Sequence, residues 1–356
     1  MIRTLALTAC VAALGLSAAP GRAEEAKNVI LFLGDAGGVS TLSAAGILEN
    51  DRPLSLFIQS MPNIALSDTS ALDEWVTDSA AGMTAIVTGR KTNNAMVSAL
   101  PGAGGQAVPV KSLMEYAEQR GLATGIVTNM PIWDATPAAN YAHVARRSDK
   151  TEIFRQMLKP RYGDGVDVLI GKGRTDADAA MGGDARKAFA AADYSLGDDL
   201  SLVGKPKRAA VLHDADFAPM PALEATLARL AKNPKGYVLV VEWDMHTDDP
   251  RAGLRHVGEM DAMVRRAHEL AGKDTLILFT ADHSFGLRMV GGSRATPLAQ
   301  QYDPSDKSVI TVERNHTGEE VIVAASGPGA DKVRGFMPNT RLFDIMLSAL
   351  GWKRDE

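Results

Sequence analysis

The chain has 356 residues, of which 46% are hydrophobic, 23% charged and 5% aromatic, with 33 glycines and 17 prolines, and this composition excludes collagen, a coiled coil and wholesale disorder. A formal charge of −5 and a pI near 5.9 provide no basic surface for nucleic acid. The length suits two ordinary domains or one large α/β domain, and it is enough to bury roughly three quarters of the unfolded surface.

Residues 1–23 read as a secretory signal peptide: Arg3, an apolar stretch from Leu5 to Leu16, then small residues and Pro20 before Ala23. The apolar stretch is too short to span a bilayer, so cleavage near Ala23 is expected, leaving a soluble mature chain in the periplasm or outside the cell. An anchor that stays attached and lipidation at Cys10 are the alternatives. Cleavage removes Arg3, Arg22 and Cys10, the sole cysteine, so the mature chain 24–356 has a net charge of −7 and no disulfide or thiol chemistry. No later segment approaches the length of apolar run that spans a membrane.

Asn28 to Leu33 is a β-branched and aromatic run that breaks at Gly34-Asp35-Ala36-Gly37-Gly38, which predicts a buried strand and a tight turn, with a helix over Thr41 to Leu48. Small residues from Ser79 to Val87 predict a helix beginning at Ser79. Further strands are predicted at Thr124 to Val127, Val166 to Ile170, Ala209 to Leu212, Tyr237 to Val241, Thr275 to Phe279 and Val321 to Ala325. Helical patterns fall between them at Val110 to Gln119, Ile153 to Leu158, Ala222 to Ala231 and Leu254 to Ala271, and another follows at Arg341 to Leu350. Apolar strands without polar alternation, interleaved with helices, predict an α/β fold in which a mostly parallel central sheet carries helices on both faces. No repeat or low-complexity linker divides the chain, so one domain is expected.

Ligands of such sheets collect beyond the carboxyl ends of the strands, and polar residues concentrate there. Asp35 follows the first strand, and Glu242-Trp243-Asp244-Met245-His246-Thr247-Asp248-Asp249 follows Tyr237 to Val241. Asp282-His283 follows Thr275 to Phe279, and His316 stands just before the strand at Val321. So many acids at one rim repel each other unless a cation relieves them; mixed Asp, Glu and His donors suit zinc, and carboxylate-rich positions suit magnesium. Each acid alone is equally well a helix cap or a turn residue. Asp78-Ser79 opens a helix, where backbone N–H groups favour an anion, and nearby metals turn a serine hydroxyl into a nucleophile without a histidine base.

The segment Asn28 to Gly38, Val76-Thr77-Asp78-Ser79-Ala80-Ala81 running to Thr92, Asp134-Ala135-Thr136-Pro137-Ala138, Thr280-Ala281-Asp282-His283 and His316-Thr317-Gly318 together resemble the alkaline phosphatase family. The matches keep the family's order from residue 28 to about residue 350. The resemblance implies a three-layer fold and hydrolysis of phosphate monoesters through a phosphoseryl intermediate on Ser79, with configuration at phosphorus retained over two displacements. It implies two zinc ions and one magnesium. Asp35, Asp282 and His283 would hold the zinc that activates Ser79. His316 and residues of the Glu242 to Asp248 stretch would hold the other, and Asp35, Thr136 and Glu242 the magnesium, with Asp134 orienting its water. Arg147 would clamp two phosphate oxygens through its guanidinium fork, beside Asp78. An exported enzyme of this kind would scavenge phosphate from external esters, and the family allows a homodimer.

Two departures stand out. The family's Gly-Asp-Gly-Met-Gly is Gly34-Asp35-Ala36-Gly37-Gly38 here, which keeps the ligand and alters the loop. After Glu242 the family spaces an acid and a histidine four residues apart, whereas here the candidates are Asp244 and His246, two apart, with Asp248 in reserve. That irregularity makes a phosphodiesterase the alternative activity. A sulfatase is disfavoured because no cysteine remains for a formylglycine. A non-catalytic phosphate or metal binder is the reading outside enzymes.

Overall fold

The computed structural model describes residues 25–355; the expected signal peptide, residues 1–23, lies outside the described residues. The strands in chain order are β1 (Asn28–Asp35), β2 (Asn63–Asp68), β3 (Ala99–Pro101), β4 (Ala107–Pro109), β5 (Ala123–Pro131), β6 (Val168–Lys172) and β7 (Tyr194–Gly197). They continue with β8 (Arg208–His213), β9 (Tyr237–Asp244), β10 (Thr275–Thr280), β11 (Ser284–Met289), β12 (Ile310–Thr317), β13 (Val321–Ser326) and β14 (Gly335–Pro338). Ten of them form one sheet in the order β14-β2-β13-β10-β1-β9-β5-β6-β8-β7. Every neighbouring pair in it is parallel except the two that involve β13, so the mostly parallel sheet expected from the apolar runs is present with a single reversed strand.

The central strands explain the layering. All eight residues of β1 are buried, because side chains alternate between two covered faces. Val29, Leu31 and Leu33 meet Met83, Ile86, Phe343 and Met346 from the helices Ser79–Thr88 and Thr340–Ala349. Ile30 and Phe32 meet Leu42, Val257, Met260 and Val264 from the helices Val39–Asn50 and Pro250–Leu270 on the other face. The helix Pro250–Leu270 starts cleanly because Pro250 has no N–H to satisfy, and Asp249 accepts from the N–H groups of Arg251 and Ala252 at 3.1 and 3.3 Å. Among the described residues no helix is long and apolar enough to cross a membrane.

Because β1, β9 and β10 run in parallel, their carboxyl ends share one rim. Pairing of Asp35 with Asp244 carries β9 two residues beyond Glu242, further than its apolar run suggests. Beyond β10 the hairpin β11–β12 folds over this rim, and His316, ahead of β13 as expected, itself lies within β12 opposite Phe285.

One buried acid away from the rim makes stability pH-dependent. Glu118, in the helix Leu113–Arg120, accepts from the Thr124 hydroxyl and, at 3.3 Å, from the Gly165 N–H. Burial, reinforced by Asp167 and Asp164, pushes its carboxyl up to about 7. A carboxyl raised on folding leaves stability intact below its unfolded pKa, and that stability is lost as pH rises through the folded value. Glu118→Gln should therefore be more stable than the parent at pH 8, by up to about 3 kcal/mol, with the gain shrinking toward pH 5. Urea midpoints at the two pH values check this; equal midpoints at pH 8 would contradict it.

Candidate active site

Ser79 is the first residue of its helix, and Asp78 caps that helix by accepting from the Ala81 N–H at 3.0 Å. The cap is thus supplied by the neighbour, and the serine hydroxyl remains free for other partners. Its Oγ lies 3.3 Å from His283 Nε2 and 3.5 Å from Asp35 Oδ1, in a buried position. Gly82 allows this closeness, since a Cβ there would stand 2.8 Å from the Asp282 carbonyl oxygen. The Asp35 turn is tighter than its sequence suggests: Ala36 takes the left-handed conformation at φ 66°, which glycine adopts without strain, and its N–H donates to Asp282 Oδ1 at 3.3 Å.

Three histidines converge beside Ser79. The Nδ1 of His283 donates to the Ser284 carbonyl at 3.0 Å, that of His316 to the Thr77 carbonyl at 3.0 Å, and that of His246 to Asp244 Oδ1 at 2.7 Å. Carbonyl and carboxylate oxygens only accept, so each Nδ1 carries a proton and each Nε2 faces the centre, where it offers a lone pair once deprotonated. His246 Nε2 and His316 Nε2 face each other at 3.4 Å, and His283 Nε2 is 3.2 Å from Asp35 Oδ1. Ligand atoms of His246, His283 and His316 lie within 4.8 Å of one another, as do those of Asp35, Asp282 and His283. With those nitrogens deprotonated, the rings and carboxylates repel one another unless a cation replaces the protons, and Nδ1 anchored to an acceptor is the usual support of a metal-ligating imidazole.

The electrostatics agree. Asp282 is fully buried and its Oδ2 has no hydrogen-bond partner; burial and the neighbouring Asp35 push its carboxyl up to about 6. Glu242, also buried, accepts from the Thr128 hydroxyl, and burial together with Asp35 drives its carboxyl far up. The Thr136 hydroxyl is near enough to offset a little of that rise but makes no hydrogen bond of its own. Burial opposes protonation of His246, yet the Asp244 hydrogen bond and the charge of Asp35 outweigh it and raise the ring to about 9. Burial and the adjacent His283 lower His316. For Asp35 the histidines His283 and His246 overcome the burial penalty and hold the carboxyl well below its usual range. A centre that draws protons this strongly draws cations for the same reason.

On the opposite side Arg147 is fixed by two carboxylates, its Nη2 donating to Asp134 Oδ1 at 2.9 Å and its Nη1 to Asp78 Oδ2 at 3.3 Å. Burial disfavours the charge, but Asp134 and Asp78 more than compensate and keep the guanidinium firmly protonated. Its loop is pinned in turn: Arg147 N–H donates to the Ala95 carbonyl at 2.8 Å, and the buried His143 ring spans the Ser98 carbonyl at 2.7 Å and Glu115 at 2.9 Å.

The fold therefore brings together Asp35, Ser79, Glu242, His246, Asp282, His283 and His316, with Thr136, Asp78, Asp134 and Arg147 beside them. Asp244 is turned to His246 rather than to the other donors, Asp134 caps the short helix Ala135–Ala138, and Asp248 is exposed and joins neither donor group. Sequence reasoning missed the supports. His256 is hydrogen-bonded through Nδ1 to the Asp244 carbonyl at 2.6 Å, and Asn129 Oδ1 accepts from the Asp244 N–H at 2.8 Å. Asn94 Oδ1 accepts from the Asp78 N–H at 2.9 Å.

Comparison with known proteins finds relatives over nearly the whole chain. The family model described as alkaline phosphatase matches residues 26–207 and 213–311. The chain is 28% identical to an alkaline phosphatase of Escherichia fergusonii, over 92% of this chain and 86% of that one. It is 29% identical to a streptomycin-6-phosphate phosphatase of Streptomyces griseus, over 92% of this chain and 91% of the other. Among solved structures, the alkaline phosphatase of the Antarctic bacterium TAB5 shares the fold with a TM-score of 0.78 at 23% identity, covering 94% of this chain and all of that one.

Proposed function

This chain belongs to the alkaline phosphatase family, and from that premise we propose that it is an exported phosphomonoesterase that transfers the phosphoryl group first to Ser79 and then to water. The observation that carries the reading is that the Ser79 hydroxyl meets His283 and Asp35, which belong to two adjoining donor groups completed by His246, His316 and Asp282.

Asp35, Asp282 and His283 fit one cation, and His246 with His316 fit a second; nitrogen and oxygen donors together suit zinc. The unpartnered Asp282 Oδ2 supports the first site, and the two facing Nε2 atoms support the second. Asp244 orients His246 within the second. Glu242, Thr136 and Asp35 form an oxygen-rich position that suits magnesium, and the unpartnered Thr136 hydroxyl supports it. When bound, such cations lower the pKa of a nearby hydroxyl and neutralise charge on the oxygens entering and leaving phosphorus.

The protein groups then have distinct tasks. Ser79 loses its hydroxyl proton as Oγ bonds to phosphorus, and the ester oxygen opposite it departs and takes up a proton to leave as the alcohol. Water, arriving from the side the alcohol vacated, gives its oxygen to phosphorus and a proton to Ser79 as the Ser79–phosphorus bond breaks and phosphate is released, so two inversions retain configuration. Arg147, held by Asp78 and Asp134, donates to two non-bridging oxygens in both steps. Residues 1–23 as a signal peptide would direct the enzyme to external esters and make phosphate scavenging its use.

A diester lacks one of the charged oxygens that the Arg147 fork and the cations serve. Protein loaded with zinc and magnesium should therefore hydrolyse 4-nitrophenyl phosphate at alkaline pH faster than bis(4-nitrophenyl) phosphate, by at least ten- to a hundredfold on the order of one lost charge-assisted contact. A diester rate equal to or above the monoester rate would contradict this reading.

A further inference from the structure

Large apolar side chains are exposed at few places on the described surface, and three of them, Leu72 (57% exposed), Trp75 (89%) and Val76 (37%), fall in the five residues just before Thr77-Asp78-Ser79. This segment is held firmly. Ala71 N–H donates to the Glu74 carbonyl at 3.0 Å and Leu72 N–H to the Thr92 carbonyl at 2.8 Å. Asn94 ties it further, its N–H donating to Asp73 Oδ1 at 3.0 Å and its Nδ2 to the Val76 carbonyl at 3.1 Å, while its Oδ1 accepts from the Asp78 N–H. An exposed indole on a pinned backbone keeps its apolar surface in water without a folding reason.

The segment also has a definite side. The Thr77 carbonyl accepts from His316, and a Cβ on Gly318 would come within 3.3 Å of the Trp75 carbonyl oxygen and 3.4 Å of Val76. Residues 75–77 thus run past the end of β12 beside His316 and lead directly into Asp78, which holds Arg147. If Arg147 receives the phosphate oxygens and the ester oxygen lies toward His246 and His316, the segment that joins the two sides borders the path of the organic group.

We propose that Trp75 is the specificity-determining platform for the leaving group, favouring phosphate monoesters whose alcohol is aromatic or otherwise flat and apolar. The proposal rests on the monoesterase reading above. Trp75 takes no part in the bond changes at phosphorus; it adds contact area to the departing group, as aromatic pairs do when offset or edge-on.

The test measures kcat/KM of the metal-loaded enzyme for 1-naphthyl phosphate and glycerol 2-phosphate, together with inhibition by inorganic phosphate, which has no leaving group. Trp75→Ala should lower kcat/KM for the naphthyl ester on the order of tenfold, chiefly through KM. The glycerol ester and phosphate inhibition should stay within about twofold, a value inside the effect of ordinary surface substitutions. Trp75→Phe, which keeps a ring, should recover most of the loss. Equal losses on both esters, or no change on either, would overturn the proposal, as would a change in sedimentation showing that Trp75 is covered by a second copy. Failure of the monoesterase reading looks different, because the parent protein would then release phosphate from neither ester.

Discussion

Ser79→Ala is expected to lower kcat for an aryl phosphate on the order of ten-thousandfold or more, while leaving bound metal and the melting temperature nearly unchanged. The size follows from the role: removing a covalent nucleophile takes away both displacements at once, and what survives is positioning and charge stabilisation alone. The selectivity follows from the geometry. Ser79 Oγ touches Asp35 and His283, but the His283 ring is oriented by the Ser284 carbonyl and Asp282 Oδ1 by the Ala36 and His283 N–H groups, none of which involves the hydroxyl. The helix cap also survives, because Asp78 supplies it. Steady-state kinetics with metal analysis on the same sample check this. Retention of most of the parent rate would remove Ser79 from the chemistry, and loss of metal along with activity would make it a support of the donor groups.

Asp282→Asn should separate the cost of the empty centre from the benefit of the filled one. In the metal-bound protein an amide nitrogen replaces a carboxylate oxygen that accepts no hydrogen bond, and affinity for zinc should fall by more than about a hundredfold, beyond the loss typical of an outer support. In chelated protein the change acts the other way. Burial and Asp35 raise the Asp282 carboxyl to about 6, so its stabilising share is present below the unfolded pKa near 3.8 and is lost as pH rises through 6. At pH 8 the metal-free Asp282→Asn protein, whose new amide bears no charge, should therefore melt above the metal-free parent. Chelation should lower the melting temperature of the parent strongly and that of the variant little. Identical zinc affinity in the two proteins would take Asp282 out of the cation site.

The sequence carries the centre of the sheet plainly and its periphery poorly. β1, β9 and β10 carry unbroken apolar runs because both faces are covered, and that pattern is readable without context. β2 and β12 are partly exposed, and β12 presents Glu313, Arg314 and Asn315 to solvent, so neither stands out from loop. The reversed strand β13 looks like its parallel neighbours because direction leaves no trace in an apolar run. The acidic stretch after Val241 was legible as a donor cluster but not in its allocation. Continued pairing with β1 puts Glu242 and Asp244 on one face of β9 and Trp243 on the other, and only the tertiary fold decides that His246 turns inward while Asp248 stays in solvent. Supports such as His143, His256, Asn94 and Asn129 hold backbone atoms or buried groups of other segments, and no spacing along the chain announces such contacts.

The most direct measurement is acid quenching of the enzyme during turnover of a phosphate monoester, followed by mass spectrometry of the peptide that contains Ser79, with metal-loaded and chelated protein side by side. A hydroxyl made reactive by cations predicts a phosphoryl group on Ser79 in the loaded sample and none in the chelated one. Rapid hydrolysis with Ser79 never modified, or equal modification after chelation, would contradict the account.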